Sequence, residues 1–295
     1  MSFDNGQILQ ITLKPQRVVS LVPSLTESLF DLGLGSALVG ITDYCVHPAA
    51  KLAHLPRLGG TKNPRIADII ALKPDLVLAN QEENTRAVVE ALQEAGISVW
   101  VSFPKTVTEA LEVLYKLAEI FRNESALLIV KTLEQSVEWV KLAAQPEIRY
   151  FCPIWQEINE GGQPWWMTFN RHTYAHDLLT MFGGENVFAD RERQYPLQAD
   201  LEGDTEPARD PDPARDTRYP RVGLEEVRAA APDVIILPSE PFTFSEQHRQ
   251  QIIAWLGDTP AVQNDRVVLV DGSLITWHGT RIARALQEFP TLFGQ

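Results

Sequence analysis

Two glutamates occupy equivalent positions in an internal repeat of this sequence. Residues 66–79 and residues 224–237 each predict a short amphipathic helix, a Pro-Asp stop and an apolar strand, and Glu82 and Glu240 follow the two strands. In open parallel sheets, ligands bind beyond the carboxyl ends of the strands. Two carboxylates at such positions suit a metal ion or a cationic ligand, unless both are simply solvated in their loops. The repeat therefore predicts two lobes of similar construction with a ligand enclosed between them.

Aromatic and polar residues follow the other predicted strands, and aromatic rings give a flat ligand a large, rigid contact area. The candidates of the first lobe are Pro23, Ser24, Tyr44, His47, Thr61 and Lys62. The candidates of the second lobe are Trp155, Trp166, Phe242, Trp277 and His278. Trp165 and Trp166 are adjacent in a strand-like segment, so we expect one of the two in the core. Ser24, with Glu27 three residues on, also predicts a capping box at the start of the first helix.

A bare metal site is an alternative use of these positions. Neutral imidazole and carboxylate groups from His47, His278, Glu82 and Glu240 would suit zinc, manganese or ferrous iron. A third alternative is an enzyme acting on a chelated metal, since two acidic groups can transfer protons. The sequence contains no P-loop, nucleophile elbow, His-Glu-x-x-His motif or dinucleotide-binding glycine fingerprint. We therefore expect a binding protein that is not an enzyme and that requires no cofactor.

Bulk properties exclude several classes of partner. The formal net charge of −13 argues against a surface that binds nucleic acid, because such a surface needs concentrated lysine and arginine. No apolar run approaches the roughly 20 residues that span a bilayer, so membrane insertion is not expected. Cys45 and Cys152 are placed in different lobes, which argues against a disulfide. The first ten residues lack the basic and apolar regions of a signal peptide, so as written the chain predicts a cytoplasmic protein. We expect a monomer.

Strand-like and helix-like segments alternate through both halves of the chain. This alternation predicts an α/β fold with two parallel-sheet, Rossmann-like lobes. A helix over 124–144, spanning roughly 30 Å, would join the lobes stiffly, because no Gly/Ser-rich linker accompanies it. We expect an N-terminal lobe over 1–105, a helical connector with this backbone helix over 106–146, and a C-terminal lobe over 147–295.

A charged insertion interrupts the second lobe. Between residues 191 and 221 the composition changes to Asp, Glu, Arg and Pro, and the dipeptide Tyr-Pro stands near both ends. So few apolar residues cannot bury enough surface to order a segment of this length. The composition predicts a solvated, flexible loop.

Three runs of residues and the backbone helix together resemble a known family. The run Arg-Val-Val-Ser-Leu-Val-Pro-Ser-Leu-Thr-Glu covers 17–27, Gly-Gly-Thr-Lys-Asn-Pro covers 59–64, and Ala-Leu-Lys-Pro-Asp covers 71–75. With the helix that follows, they resemble the class III, helical-backbone periplasmic binding proteins, the receptors for cobalamin, haem and ferric siderophores. The resemblance extends over about residues 17–289 apart from the insertion, and it is closest to the cobalamin branch.

The resemblance implies two α/β lobes with little hinge motion, a ligand between them and delivery to an ABC permease. Tyr44 matches a ligand-contacting aromatic of the cobalamin receptors, whereas Thr61 stands where those receptors place a tryptophan. Ala67 replaces the first-lobe glutamate that docks on permease arginines, but Asp68 is adjacent and Glu225 keeps the second-lobe counterpart.

The sequence therefore predicts a non-enzymatic substrate-binding protein that holds a metal chelate between its lobes. Cobalamin is the first ligand expected, and haem or a ferric siderophore comes next. A divalent-metal receptor and a cytoplasmic protein that holds or senses a metal chelate stay open as alternatives. If Trp166 and Trp277 contact the ligand, its binding should quench tryptophan fluorescence.

Overall fold

The computed structural model of the chain describes residues 14–143, 147–202 and 215–294. The chain divides into two compact units. Unit 1 comprises residues 1–138 together with Trp277–Ala283, and unit 2 comprises Trp139–Thr276 together with 284–295. Each unit contains a four-stranded parallel sheet, so the predicted α/β fold with two parallel-sheet lobes and a long joining helix is confirmed.

Unit 1 is built on a sheet with the strand order β2-β1-β3-β4, in which all neighbours are parallel. Its elements in chain order are β1 (Val18–Ser20), α1 (Pro23–Asp31), β2 (Leu38–Ile41), α2 (Ala49–Leu52), α3 (Ile66–Ala71), β3 (Leu76–Asn80), α4 (Arg86–Glu94), β4 (Val99–Ser102), α5 (Val107–Ile120) and α6 (Glu124–Leu142). A short 3-10 helix, Gly35–Ala37, precedes β2. Strand β3 is buried along its whole length, as its continuous apolar sequence predicts. The boundary between the units falls inside α6, after Glu138.

Unit 2 combines a parallel sheet, of order β11-β10-β5-β8, with a separate antiparallel sheet, of order β6-β7-β9. Its elements in chain order are β5 (Ile148–Phe151), β6 (Trp155–Ile158), β7 (Pro164–Met167), α7 (Tyr174–Met181), β8 (Gly184–Asn186), α8 (Leu197–Glu202), β9 (Arg221–Gly223), α9 (Leu224–Ala230), β10 (Val234–Pro238), α10 (Glu246–Trp255), α11 (Pro260–Gln263), β11 (Val267–Val270), α12 (Ser273–Thr276), α13 (Ile282–Glu288) and α14 (Pro290–Phe293). Helix α13 begins in unit 1 and ends in unit 2. The antiparallel sheet was not predicted. It lies beside the core of unit 2, to which β7 and β9 contribute Trp166 and Val222.

The structure describes two arms of the charged insertion, residues 191–202 and 215–221. Both arms are folded, although the insertion was predicted to be solvated and flexible. Asp200 in α8 is buried, and its Oδ2 lies 2.8 Å from Nε of Arg221, which is also buried. The Tyr195 ring stacks with the guanidinium groups of Arg193 and Arg221, at 4.7 and 5.6 Å from the ring centre. A buried ion pair and cation–π contacts therefore order these arms where apolar burial could not. Residues 203–214 of the insertion lie outside the described residues.

Helix α1 begins two residues earlier than the capping-box pattern predicts. Pro23 is its first residue and Val22 the N-cap, with no side-chain cap, so the predicted Ser24 cap is wrong. Glu27 is used differently: its two carboxylate oxygens accept hydrogen bonds of 2.7 and 2.8 Å from the guanidinium of Arg281. This pair attaches the segment Trp277–Ala283 to α1 within unit 1.

Gly279 allows the same segment to approach α1 closely. Its φ is +103°, and a Cβ at this position would lie 2.4 Å from Oγ of Ser28. That hydroxyl accepts a hydrogen bond of 3.1 Å from the backbone N–H of Thr280. Both the backbone conformation and the space therefore require glycine here.

Replacing Gly279 by alanine should lower the free energy of unfolding by about 2–3 kcal/mol, because it combines a strained φ with a steric clash. Urea denaturation followed by circular dichroism measures the change. Gly223→Ala is the matched control, since its φ is −89° and a Cβ there meets nothing within 4 Å. Equal stability of the two variants would show that the segment does not pack on α1 in this way.

No helix among the residues that the structure describes is long and apolar enough to cross a membrane.

Candidate ligand-binding surfaces

A buried polar network lies beneath the carboxyl edge of the unit 1 sheet. Asn80, the last residue of β3, donates a hydrogen bond of 3.2 Å to Oγ of Ser102 at the end of β4. The backbone N–H of Asn80 donates to Oδ1 of Asn84, at 2.8 Å, and the Asn84 amide donates to the carbonyl of Thr61, at 2.9 Å. Because these groups are buried and hydrogen-bonded, they hold the loops at the strand ends in place.

A second buried group fixes the loop after β2, which carries Tyr44. The Cys45 thiol lies 3.1 Å from Oγ1 of Thr26 and 3.2 Å from Oγ1 of Thr42. The Arg57 guanidinium donates to the carbonyl oxygens of Thr42 and Cys45. Burial raises the pKa of the Cys45 thiol, so this cysteine is a structural thiol and not a reactive one.

The same edge carries exposed aromatic and charged side chains. Tyr44 is 63% exposed, and His47, Lys62 and Glu82 are also exposed. The Lys62 ammonium donates a hydrogen bond to the backbone carbonyl of Glu82, which connects the two loops. Thr61, in contrast, is buried. The predicted residues after β2 and β3 therefore lie along the carboxyl edge of the unit 1 sheet. Thr61 belongs to the buried network beneath that edge.

Pro23 and Ser24 lie at the first turn of α1, directly after β1. Both are buried, so they position the helix and offer little surface of their own. Ser24 contributes its backbone carbonyl, which accepts a hydrogen bond of 2.8 Å from the Ser28 hydroxyl.

Trp277 belongs to unit 1, although its place in the sequence predicts the second lobe. Its indole ring lies 6.0 Å from the His47 ring in an edge-to-face arrangement. The Arg281 guanidinium lies 4.6 Å from the centre of the same indole. These contacts fix a half-buried tryptophan beside the exposed histidine, and they add an aromatic surface to the edge that carries Tyr44.

His278 also belongs to unit 1, and it is buried. The side-chain amide nitrogen of Asn80 lies 3.3 Å from its Nε2. An amide nitrogen can only donate, so Nε2 accepts that hydrogen bond and is not free to bind a metal ion. Desolvation lowers the pKa of His278 to about 4. The predicted role of His278 as a ligand contact or metal ligand is therefore corrected, because its ring is part of the protein interior.

The burial of His278 has a consequence for acid stability. In the unfolded chain the imidazole takes up a proton at its ordinary pKa, near 6.5, whereas in the folded protein it resists protonation down to about 4. Between these values the unfolded state binds more protons, so acid favours unfolding. The free energy of unfolding should fall by roughly 3 kcal/mol more between pH 7 and pH 4 than it does in a His278→Gln variant.

Urea denaturation at several pH values tests this prediction. His172→Gln, at an exposed position, is the control and should keep the wild-type pH dependence. Identical pH dependence in wild type and His278→Gln would mean that His278 is accessible to solvent.

The bare metal site is not assembled. Among the residues that the structure describes, no three His, Cys, Asp or Glu side chains are grouped so that they could hold a metal ion. The three donors that the sequence suggests in unit 1, His47, His278 and Glu82, are thus not gathered into one metal site.

The corresponding edge of unit 2 carries an aromatic cluster. Phe242, in the loop after β10, meets Trp155 edge-to-face with ring centres 5.4 Å apart, and it also contacts Phe244 at 4.8 Å and His248 at 5.1 Å. Trp155 is 40% exposed. Glu240, half-buried in the same loop, accepts a hydrogen bond of 2.8 Å from Oγ1 of Thr276. This cluster is the second candidate surface.

Trp166 is not part of that surface. It is fully buried, its indole N–H donates a hydrogen bond of 2.9 Å to Oε1 of Gln156, and its ring packs against Phe151 and Trp255. Its predicted contact with the ligand is therefore corrected to a role in the core. Of the two tryptophans expected to report ligand binding, only Trp277 lies at a candidate surface.

Asp68 and Glu225 are exposed in the first turns of α3 and α9, the helices of the internal repeat. Each forms an ion pair with an arginine of its own unit. Asp68 lies 2.6 Å from Nε of Arg65, and Glu225 lies 2.7 Å from Nη1 of Arg228. Both carboxylates are thus exposed on equivalent helices of the repeat, with Asp68 one position further along its helix than Glu225.

Cavities of unit 2 lie away from these surfaces. One, of about 1220 Å³, borders strand β8 and includes His176 and Arg171, and another, of about 410 Å³, borders β11 and α14. None of the predicted site residues lines either cavity. These two cavities therefore do not coincide with the predicted ligand surfaces.

This combination of two parallel-sheet units, a long joining helix and aromatic strand ends is that of a substrate-binding protein. Residues 18–274 match the periplasmic binding protein family, and the chain belongs to that family. The family predicted from the sequence is thus confirmed.

Individual relatives extend this finding. The chain is similar to a vitamin B12-binding protein of Vibrio cholerae serotype O1, with 24% identity over 292 residues that cover 98% of this chain and 93% of the relative. The crystal structure of the periplasmic vitamin B12 binding protein of Vibrio cholerae superposes with a TM-score of 0.73 and 24% identity, covering 95% of this chain and 96% of that one. The periplasmic heme binding protein of Vibrio cholerae superposes with a TM-score of 0.71 and 20% identity, covering 95% and 99%. At these identities the structural likeness shows the fold.

Proposed function

We propose that this protein is the substrate-binding component of an ABC transporter and that its ligand is a metal chelate, cobalamin first. The observation that carries the proposal is the exposed aromatic edge of unit 1. Tyr44 is exposed after β2, and Trp277 is fixed beside His47. Flat macrocycles gain affinity from such rigid rings, and the buried network beneath them keeps the surface preformed. The named vitamin B12-binding relatives support cobalamin as the first candidate.

Polar groups at the same edge would select among chelates. Lys62 and Glu82 are exposed there with opposite charges, and they suit the amide and phosphate groups at the rim of a corrinoid. Trp155 and Phe242 offer a second aromatic surface in unit 2. The internal repeat predicts that both surfaces hold one ligand, and substitutions in each surface test its contribution separately.

Haem and ferric siderophores are the second candidates. Tyr44 and His47 offer exposed oxygen and nitrogen donors, which are ligands that iron accepts. A heme-binding protein shares the fold, which makes haem a necessary comparison.

Transfer of the ligand to a permease completes the proposed role. Periplasmic binding proteins are in general non-enzymatic, and we propose the same of this chain. Asp68 and Glu225 would pair with arginines of the permease, each exchanging its present arginine partner for one on the permease. Cobalamin uptake by cells whose protein carries charge reversals at both Asp68 and Glu225 tests this docking.

Gel filtration with visible absorption tests the ligand class. The purified protein is mixed with cyanocobalamin, hemin or a ferric hydroxamate siderophore, and the absorption of each chelate is followed. We expect cobalamin to elute with the protein. Elution of hemin or the siderophore instead would change the ligand, and elution of every chelate apart from the protein would contradict the function.

A further inference from the structure

The long helix α6 exposes large apolar side chains on the side that faces water. Leu128 is 66% exposed, Trp139 is 78% exposed and Leu142 is 82% exposed. Tryptophan is seldom so exposed in a folded protein, and apolar residues grouped on one face mark interaction surfaces. None of these residues belongs to the ligand surfaces or to the proposed docking carboxylates.

Six of the exposed positions of α6 have the spacing of a helix-packing seam, and the exposed Leu127 and Ile129 lie outside it. The positions alternate by three and four residues, and they are Ser125, Leu128, Thr132, Gln135, Trp139 and Leu142. This alternation keeps all six on one face of a helix and is the pattern of the a and d positions of a coiled coil. A second stripe with the same alternation, Ala126, Val130, Leu133 and Val137, is buried and packs into the protein. The helix thus has two seams, and the protein's own interior uses one of them.

We propose that the outer seam binds the same seam of a second copy of this chain, with the two helices antiparallel. A two-fold axis between positions 133 and 134 places Leu128 of one copy against Trp139 of the other, and Ser125 against Leu142. The polar residues Thr132 and Gln135 then meet at the centre. A symmetric contact of this kind closes on itself and gives a dimer without further growth.

Charges beside the seam favour this orientation. Lys131 and Glu138 lie on the same flank of the seam, one turn before and one turn after the axis. In the antiparallel pair, Lys131 of each copy comes within reach of Glu138 of the other, so the charge complementarity is used twice. A parallel pair would bring each of these charges beside a neutral residue, because Ser136 and Ala143 occupy the facing positions.

The size of the seam predicts a weak dimer. From Ser125 to Leu142 it is roughly 25 Å long, and a single helix pair of this length buries about 1,000 Å², near the lower limit for a specific interface. The protein should therefore be a monomer in dilute solution and dimerise at a concentration of about 100 μM.

Sedimentation velocity over a concentration series tests the proposal. The wild-type sedimentation coefficient should rise with concentration, Trp139→Ala should abolish the rise, and Ile158→Ala, at another exposed apolar position outside α6, should not. Lys131→Glu should weaken the dimer, and Lys131→Glu with Glu138→Lys should restore it. Circular dichroism checks that each variant folds. A constant monomer coefficient, or an equal rise in wild type and Trp139→Ala, would overturn the proposal.

Cysteine cross-linking tests the orientation. Ser125→Cys mixed with Leu142→Cys, with glutathione disulfide as the oxidant, should give a covalent dimer of the two variants, whereas either variant alone should stay monomeric. The native Cys45 and Cys152 are buried and do not interfere. Cross-linking of either variant with itself would show a parallel arrangement and would contradict the antiparallel one. The test does not depend on the identity of the ligand.

Discussion

Replacing Arg281 by methionine should lower the free energy of unfolding by about 3–5 kcal/mol, since one partner of a buried ion pair is removed. The Arg281 side chain is 1% exposed, and its guanidinium forms two hydrogen bonds to Glu27, which is itself only 13% exposed. The substitution leaves the Glu27 carboxylate buried without its counter-charge. It also removes the cation that stacks on Trp277. Urea denaturation at neutral pH measures the loss.

The control for this prediction is an ion pair on the surface. Arg65→Met breaks a contact between Arg65 and Asp68 that is about half exposed on both sides. It should cost at most about 1 kcal/mol. If Arg281→Met were no more destabilising than Arg65→Met, the segment that carries Trp277 would not be held by the buried pair.

Replacing Tyr44 or Trp277 by alanine should weaken cobalamin binding roughly thirtyfold in each case, which corresponds to about 2 kcal/mol for a central aromatic contact. Tyr44 provides the more exposed ring, and Trp277 provides a ring whose position is set by His47 and Arg281. Both rings lie on the preformed edge of unit 1, so their loss removes contact area without requiring the fold to change. Equilibrium titration with cyanocobalamin measures the affinities.

Trp139→Ala is the matched control for the aromatic substitutions. It removes an indole that is 78% exposed on α6, and at low protein concentration it should leave the affinity for cobalamin unchanged. Trp277→Ala with wild-type affinity would place the ligand elsewhere on the protein. Tryptophan fluorescence adds an independent measurement, because quenching by the ligand should be weaker in Trp277→Ala and unchanged in Trp139→Ala.

Local sequence patterns predicted the fold well. The internal repeat appears in the structure as α3 with β3 in unit 1 and as α9 with β10 in unit 2. Both strands are fully buried apolar runs, and each follows a helix that ends shortly before a Pro-Asp pair. Such features depend on residues close in the chain, which is why periodicity and turn residues suffice to find them.

Long-range contacts could not be predicted in the same way. Trp277 and His278 belong to unit 1 because Arg281 pairs with Glu27, 254 residues away, and because Asn80 contacts His278. No local pattern of charge or hydrophobicity specifies these pairs. A polar residue ending the apolar run of β3 was the one visible sign that Asn80 has a structural partner.

The burial of the adjacent tryptophans depends on what covers the two faces of their sheet. The alternation of a strand led us to expect one of Trp165 and Trp166 in the core, but both are buried. Successive side chains of a strand point to opposite faces of its sheet, so the two indoles are buried on opposite faces of β7. Alternation distinguishes two faces only when one of them meets water, and here neither does.

Isothermal titration of the purified protein with cyanocobalamin, with hemin and a ferric hydroxamate siderophore run alongside, tests the central claim most directly. The proposed function predicts one cobalamin bound per chain, more tightly than either iron chelate, with the affinity reduced in Tyr44→Ala and in Trp277→Ala. Tighter binding of an iron chelate, no binding of cobalamin, or cobalamin binding that neither substitution changes would contradict it.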